Sequence, residues 1–292
     1  MDSLSSAIGL LPPDLRQAFE ALPFETKRSV EELRITRNLP LRLKTNRGEM
    51  VLETARPVTS TDMDHIIMTA TGGSYHSAAS TISHGYIRVS GGCRVGLSGE
   101  GNGRSGNSKG LRHIMSLCIR VPKEIHGCAD KIFSQLVDDR FHSTLIISPP
   151  GMGKTTLLRE LIRKLSEAGY RISLTDERGE VAAVHQGVSQ FDLGVRTDVI
   201  TNITKCEAGI MMIRTMAPDI LAMDEITAAA DMPAILEAAG CGVALLATVH
   251  GTDINSLKQK KLFAELFSYD IFEKAVCVEI MDGQRVYSVV DL

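Results

Sequence analysis

The chain has no tryptophan and only 4% aromatic residues, so it lacks the stacking platforms on which single-stranded nucleic acid is held. It also lacks a dominant charge: 32 lysines and arginines face 35 aspartates and glutamates, a formal net charge of −3. Nothing global therefore draws it to nucleic acid or anionic lipid, and no nucleic-acid partner is expected. No apolar run approaches the ~18 residues of a membrane-spanning helix, and the first residues lack a basic stretch followed by an apolar one. The expectation is a cytoplasmic protein. Cys93, Cys118, Cys128, Cys206, Cys241 and Cys277 include no C-x-x-C pair, which disfavours a zinc site or a redox couple. They read as reduced thiols packed like small hydrophobes. No internal repeat is found.

What is present is an ordinary globular composition. A length of 292 residues, 43% hydrophobic and 23% charged, corresponds to about two domains. The part before residue 123 reads as a small α+β domain. Asp14 can cap a helix from Leu15 to Leu22 that Pro23 ends, and Phe24 to Leu33 can form another. Arg34 to Leu43 and Met50 to Leu52 alternate like strands around the turn Asn46-Arg47-Gly48. Thr61 to Thr71 predicts a helix ended by Gly72-Gly73, and Tyr86 to Val89 with Arg94 to Leu97 predicts a hairpin around Ser90-Gly91-Gly92. Residues 98–110 are almost wholly Gly, Ser, Asn and isolated charges, which cannot offset their ordering entropy, so a mobile loop is expected. Gly101, Gly103 and Gly106 fall there in the order G-x-G-x-x-G. A dinucleotide fingerprint would have to open a helix, whereas here the strand-like Met115 to Val121 follows.

Over residues 124–292 a helix-like stretch, Cys128 to Val137, is followed by apolar strands alternating with helices, the pattern of a parallel sheet covered on both faces. Thr144 to Ile147, Arg171 to Thr175, Ile220 to Met223 and Val243 to Val249 are the expected strands. Ala275 to Met281 and Arg285 to Val290 flank Asp282-Gly283 as an antiparallel appendix.

The sharpest motif is Ser148-Pro-Pro-Gly-Met-Gly-Lys-Thr-Thr156, between a strand and the expected helix Thr155 to Glu167. A phosphate-binding loop needs glycines so that backbone N–H groups turn inward, a lysine for the terminal phosphates and a hydroxyl for Mg²⁺. Pro150, Gly151, Met152, Gly153, Lys154, Thr155 and Thr156 supply that cradle for ATP, with Thr155 the metal-side hydroxyl, and the helix N-terminus adds its unpaired amides. Ser148 stands where the motif usually has its first glycine. Downstream, Pro218 to Glu225 is a buried apolar strand ending in two acids. Asp224 suits the water shell of Mg²⁺, and Glu225 can polarise an attacking water.

Three further features stay open at this level. Asp176-Glu-Arg-Gly-Glu180 follows the next strand, so Glu177 rivals Glu225 as base, while a surface loop with a salt-bridged Arg178 is the plainer reading. Thr248-Val-His250 ends another strand at the same sheet edge, where His250 can sense the γ-phosphate. Arg196 and Arg214 can stabilise charge on the transferring phosphoryl group, in cis or from a neighbouring subunit. Lys258, Lys260 and Lys261 read as a solvated helix face.

With the phosphate loop, the Asp176 cluster, Asp224-Glu225 and Thr248-Val-His250 in that order, the second half resembles the secretion ATPases of type II and type IV secretion and pilus motors. Glu31-Glu-Leu-Arg34 with Leu39-Pro-Leu41, His84-Gly-Tyr-Ile-Arg-Val89 with Gly91 to Glu100, Ser116-Leu-Cys-Ile-Arg120, Asp176 to Glu180 and Met216 to Glu225 extend the likeness. Together they resemble the stage III sporulation protein AA family over nearly the whole chain. The resemblance implies an α/β P-loop NTPase fold, RecA-like with a mostly parallel sheet, preceded by a smaller α+β domain that caps nucleotide or binds partners. It implies an ATP- and Mg²⁺-dependent hydrolase working as a homo-hexamer. It places the protein in the mother cell, peripheral at the inner face of the membrane through integral membrane proteins of the mother cell to forespore channel. By that likeness Lys154 and Thr155 belong to Walker A, Asp224 and Glu225 to Walker B, Glu177 or its neighbours to the Asp box and His250 to the His box. Walker B in those motors commonly lacks the Asp-Glu pair present here, so the division of labour between Glu225 and Glu177 stays open. An ATP-binding scaffold with negligible turnover is the alternative function, and a RecA-like DNA motor is disfavoured by the missing basic face.

Overall fold

The computed structural model describes residues 3–53, 55–73, 82, 85–101, 111–227, 229–281 and 284–292. It divides into two compact units: Met1–Lys123 with His185–Gln190, and Glu124–Val184 with Phe191–Leu292. Residues 185–190 thus depart from the expectation that everything from 124 onward forms one domain.

Unit 1 is built on one antiparallel sheet in the order β3-β2-β1-β6-β5-β4, with β1 Val30–Thr36, β2 Arg42–Thr45, β3 Gly48–Val51, β4 Tyr86–Arg88, β5 Arg94–Gly101 and β6 Leu111–Arg120. Leu33 and Ile35 of β1 and Ile119 of β6 are fully buried with Leu11, Leu15, Phe19, Leu43 and Ile66. Each such side chain contributes roughly 1.5–3 kcal/mol. The helix expected from Phe24 to Leu33 stops at Ser29, because Val30 onward pairs on both sides, with β2 and with β6; tertiary pairing overrides a weak helical pattern. Helix Ser60–Ala70 is entered through a Thr59–Asp62 capping box. Arg56 grips Asp62 through two nitrogens at 2.6 and 3.0 Å and holds that carboxyl well below the usual range.

One expectation fails here. Ser98–Gly101 are not loop but the end of β5, paired with β6 across register shifts at Ser98/Gly99 and Gly99/Glu100; backbone pairing compensates for their small side chains. Residues 102–110, with Gly103 and Gly106, lie outside the described residues, as does the Asp282-Gly283 turn. Within unit 1, the Gly91 N–H donates to the Gln190 Oε1 at 2.7 Å.

Unit 2 carries a seven-stranded sheet in the order β13-β12-β7-β11-β10-β8-β9. Its strands are β7 Thr144–Ser148, β8 Ile172–Asp176, β9 Thr197–Thr201, β10 Ile220–Met223, β11 Ala244–His250, β12 Lys274–Met281 and β13 Gln284–Asp291. Neighbours are parallel except β12 and β13. Successive residues of β7 pack into different cores, Ile146 with Leu157, Leu161 and Ile162 of helix Lys154–Glu167, and Leu145 and Ile147 with Met232, Ile235 and Ala238. Both faces are therefore covered, as a parallel sheet requires. The carboxyl-terminal hairpin is no appendix: β12 runs parallel to β7 and extends the main sheet. Strand β9, of sequence Thr-Asp-Val-Ile-Thr, was not anticipated because it is an edge strand without an apolar run. Among the cysteines, which form no disulfide, Cys241 is exposed rather than packed.

Candidate nucleotide site

Parallel strands deliver their following loops to one edge of the sheet, so residues far apart in sequence meet there. Strand β7 runs into the phosphate loop at Ser148, which is fully buried and pairs with His250 of β11. The residue standing in place of a glycine thus has ordinary extended backbone, and the turn begins after it. Gly151 and Gly153 take φ of 78° and 93°, conformations that side chains resist. Gly153 caps the helix Lys154–Glu167, so the free amides of the first turn face the loop. Pro150 is exposed, Thr155 and Thr156 are half-buried, and Met152 packs partly against the core.

Lys154 is 7% exposed, and burial lowers the pKa of its amine against the opposing charges of Asp224 and Glu225. Its Nζ lies 3.1 Å from Nδ1 and 3.3 Å from Nε2 of His250. The His250 Nε2 lies 3.1 Å from the Glu225 Oε1, and Arg178 Nη1 reaches the Glu225 Oε2 at 3.1 Å. A neutral His250 protonated on Nε2 satisfies both neighbours: it donates to Glu225 and accepts from Lys154 at Nδ1. Glu225 sits at φ 51°, a left-handed conformation costing ~1–2 kcal/mol. It is held there because its N–H donates to Thr248 Oγ1 at 2.8 Å, while that hydroxyl donates to Asp224 Oδ1 at 2.9 Å. Burial raises the pKa of Asp224.

The acidic loop after β8 is pinned from within, and its Arg178 is salt-bridged as the plainer reading has it. Asp176 is fully buried and accepts from the N–H groups of Glu180, Val181 and Ala182 at 2.9–3.2 Å. Arg159 donates to the carbonyls of Val181 and Glu180 at 2.8 and 2.9 Å. The pinned loop points Glu177 at Lys205, 3.5 Å away, and gives the place beside Glu225 to Arg178. Glu177 therefore does not join the chain of contacts from Lys154 to Arg178. Arg196 precedes β9 and its carbonyl accepts from the N–H of Ile172, at the edge where strands begin. Arg214 lies in the last turn of helix Lys205–Met216, which returns the chain to that same edge, and pairs with Glu237 at 3.1 Å. Neither arginine is brought to Lys154 within the chain. The sequence offers a salt-bridged Arg178 but not Glu225 as its partner, and it does not offer the bond from Arg285 Nε to the Met152 carbonyl, 2.9 Å. A positive residue inside an acidic cluster was the available signal for the first; the second had none.

Among the described residues no group of three or more His, Cys, Asp and Glu is poised to hold a metal. A site offering one hydroxyl, Thr155, and one half-buried carboxylate, Asp224, suits Mg²⁺, which keeps most of its water.

The model of the family "Sporulation stage III, protein AA" matches residues 6–290. The chain belongs to that family. Another stage III sporulation AA protein, that of Bacillus subtilis (strain 168), is 34% identical over 271 residues, covering 91% of this chain and 87% of that one. The family's fold is that of the secretion ATPases. The pilus retraction motor PilT with bound ADP aligns with a TM-score of 0.65 at 17% identity, covering 95% of this chain and 82% of that chain. The ATPase DotB of Yersinia pseudotuberculosis aligns with 0.62 at 14% identity, covering 95% and 79%. This chain is thus a sporulation stage III protein with the α/β P-loop fold of those ATPases. No helix among its described residues is long and apolar enough to cross a membrane.

Proposed function

We propose that the protein hydrolyses ATP with Mg²⁺ as a subunit of a homo-hexameric secretion-type motor, energising assembly of, or transport through, the channel between mother cell and forespore. It would act in the mother-cell cytoplasm, held at the membrane by integral membrane partners. The observation that carries the reading is the run of contacts Lys154–His250–Glu225–Arg178, drawn from the carboxyl edge of four parallel strands beside a phosphate loop with two left-handed glycines.

In this reading the loop amides and Lys154 bind the phosphates of ATP. Thr155 and Asp224 hold Mg²⁺, which supplies neutralisation of phosphoryl charge. Glu225 is the base: His250 and Arg178 fix one oxygen each, and the carboxylate takes the proton of the attacking water. His250, bonded to both Lys154 and Glu225, ties the position of the base to that of the phosphate-binding amine. Glu177 acts through Lys205 rather than on substrate. Arg196 and Arg214, at the opposite edge, are left a role toward a neighbouring subunit.

Steady-state hydrolysis across a protein concentration series, with assembly followed by light scattering, tests the proposal. The expected outcome is a specific rate that rises with assembly and is lost in Glu225→Gln while nucleotide still binds. A negligible rate in fully assembled protein that binds nucleotide tightly would replace the motor by the scaffold.

A further inference from the structure

We infer that Arg285 is a positioning residue of the phosphate loop: it fixes the Met152–Gly153 peptide, and with it the direction of an N–H that the loop offers to phosphate. The inference rests on the nucleotide-site reading above. Arg285 belongs to β13, whose partner β12 lies beside β7, and this adjacency carries an arginine from the end of the chain to the loop that follows β7. Its Nε donates to the Met152 carbonyl at 2.9 Å. A Cβ on Gly153 would lie 2.8 Å from that Nε, 3.2 Å from Cζ and 3.3 Å from Cδ, so the guanidinium packs directly on the glycine.

The consequence follows from peptide geometry. In a planar trans peptide the C=O and N–H point in opposite directions. Holding the Met152 carbonyl toward β13 turns the Gly153 N–H to the other side. Gly153 is free to adopt many backbone conformations, so without a tether this peptide can rotate and withdraw the donor. The tether is a hydrogen bond from a charged group, the stronger kind. Among the described residues Arg285 has no acidic partner, so its guanidinium is committed to the loop rather than to an ion pair. A donor fixed before binding does not have to be ordered by the ligand.

The test is calorimetric binding of ADP and of inorganic pyrophosphate, with Mg²⁺, to the full chain and to Arg285→Ala, Arg285→Lys and Lys154→Ala. Arg285→Ala is expected to weaken both ligands by about tenfold, the scale of a hydrogen bond from a charged group. Arg285→Lys, which keeps the charge and a donor, is expected to recover about half of that loss on a logarithmic scale. In the ligand-free protein the amide NMR signal of Gly153 should shift in Arg285→Ala while the melting temperature stays put. Should the alanine variant fail to fold, the lysine variant carries the same comparison with a loss of about threefold. Weakened ADP with unchanged pyrophosphate would overturn the inference, since Arg285 would then touch the nucleoside. Unchanged binding of both ligands in the Arg285 variants, with binding lost in Lys154→Ala, would overturn it as well. Unchanged binding in Lys154→Ala would instead overturn the site reading itself.

Discussion

The two edges of the seven-stranded sheet are made of the same materials and put them to different use. Where the strands begin, charges are matched to closure. Asp219 accepts from the Arg171 N–H and two of its guanidinium nitrogens at 2.7–3.2 Å. Glu273 accepts from Arg140, lies 2.8 Å from His142 Nδ1 and accepts from the Ser143 N–H at 3.3 Å. These residues stand just before their strands and fasten neighbouring strand starts together. Where the strands end, Lys154, His250, Glu225 and Arg178 form an open run of alternating partners, and the desolvated Lys154 and left-handed Glu225 hold unfavourable states. One edge spends its charges on holding the sheet, the other keeps them poised for a ligand.

The comparison predicts opposite responses to removing one acid from each edge. Glu225→Gln should lower turnover by ~10²–10⁴ and leave the melting temperature nearly unchanged; an unfolded variant with the parent's rate per folded molecule would erase the distinction. Glu273→Ala should do the reverse. It strands Arg140 and His142, and because the cluster is partly solvated the loss belongs at the lower end of ~1–3 kcal/mol. Denaturant unfolding reads it, and nucleotide affinity should hold.

The pH dependence sharpens the same contrast. Glu273, bonded to Arg140 against the opposing effect of burial, has its pKa lowered to about 2. Its stabilisation is present above its ordinary value of 4.5 and fades as pH falls toward 2. His142 is raised, chiefly by Glu273 and then Asp138. Its stabilisation is complete below its ordinary value of 6.5 and is lost as pH climbs through the raised one. Melting temperature should therefore decline on the alkaline side, and His142→Gln should flatten that limb. A parent protein with no alkaline decline would show that the His142 cluster does not couple to folding.

Much of this arrangement was legible in the sequence, and what escaped has physical causes. Ile220–Met223 and Ala244–His250 are apolar runs because both of their faces are buried, and such runs announce themselves. Strand β9 is largely half-exposed, and β1 opens with Val-Glu-Glu, in which Glu32 is buried despite its charge; neither carries such a mark. Glu225 and His250 stand at the carboxyl ends of those legible strands, so their meeting could be anticipated. Glu177 could not be told from Arg178, since which of two adjacent loop residues faces Glu225 depends on how Asp176 pins the loop. Arg285 reaches Met152 only because β12 pairs with β7, an adjacency that no motif spacing encodes.

The smallest effects are expected at the two arginines on the far edge. Arg196→Ala and Arg214→Ala should change stability by no more than ~0.5 kcal/mol and leave ADP affinity intact in calorimetry. A rate loss that grows with assembly would assign them to a neighbouring subunit, whereas weakened binding in the isolated chain would contradict their placement.

His185–Gln190 leaves one unit, joins the other and returns, so the backbone passes between the units three times rather than once. A polypeptide ending at Lys123 would lack the Gln190 amide that accepts from Gly91, and one beginning at Glu124 would carry residues 185–190 without the unit they join. A single crossover at the boundary between the units would therefore part residues 185–190 from the unit they complete.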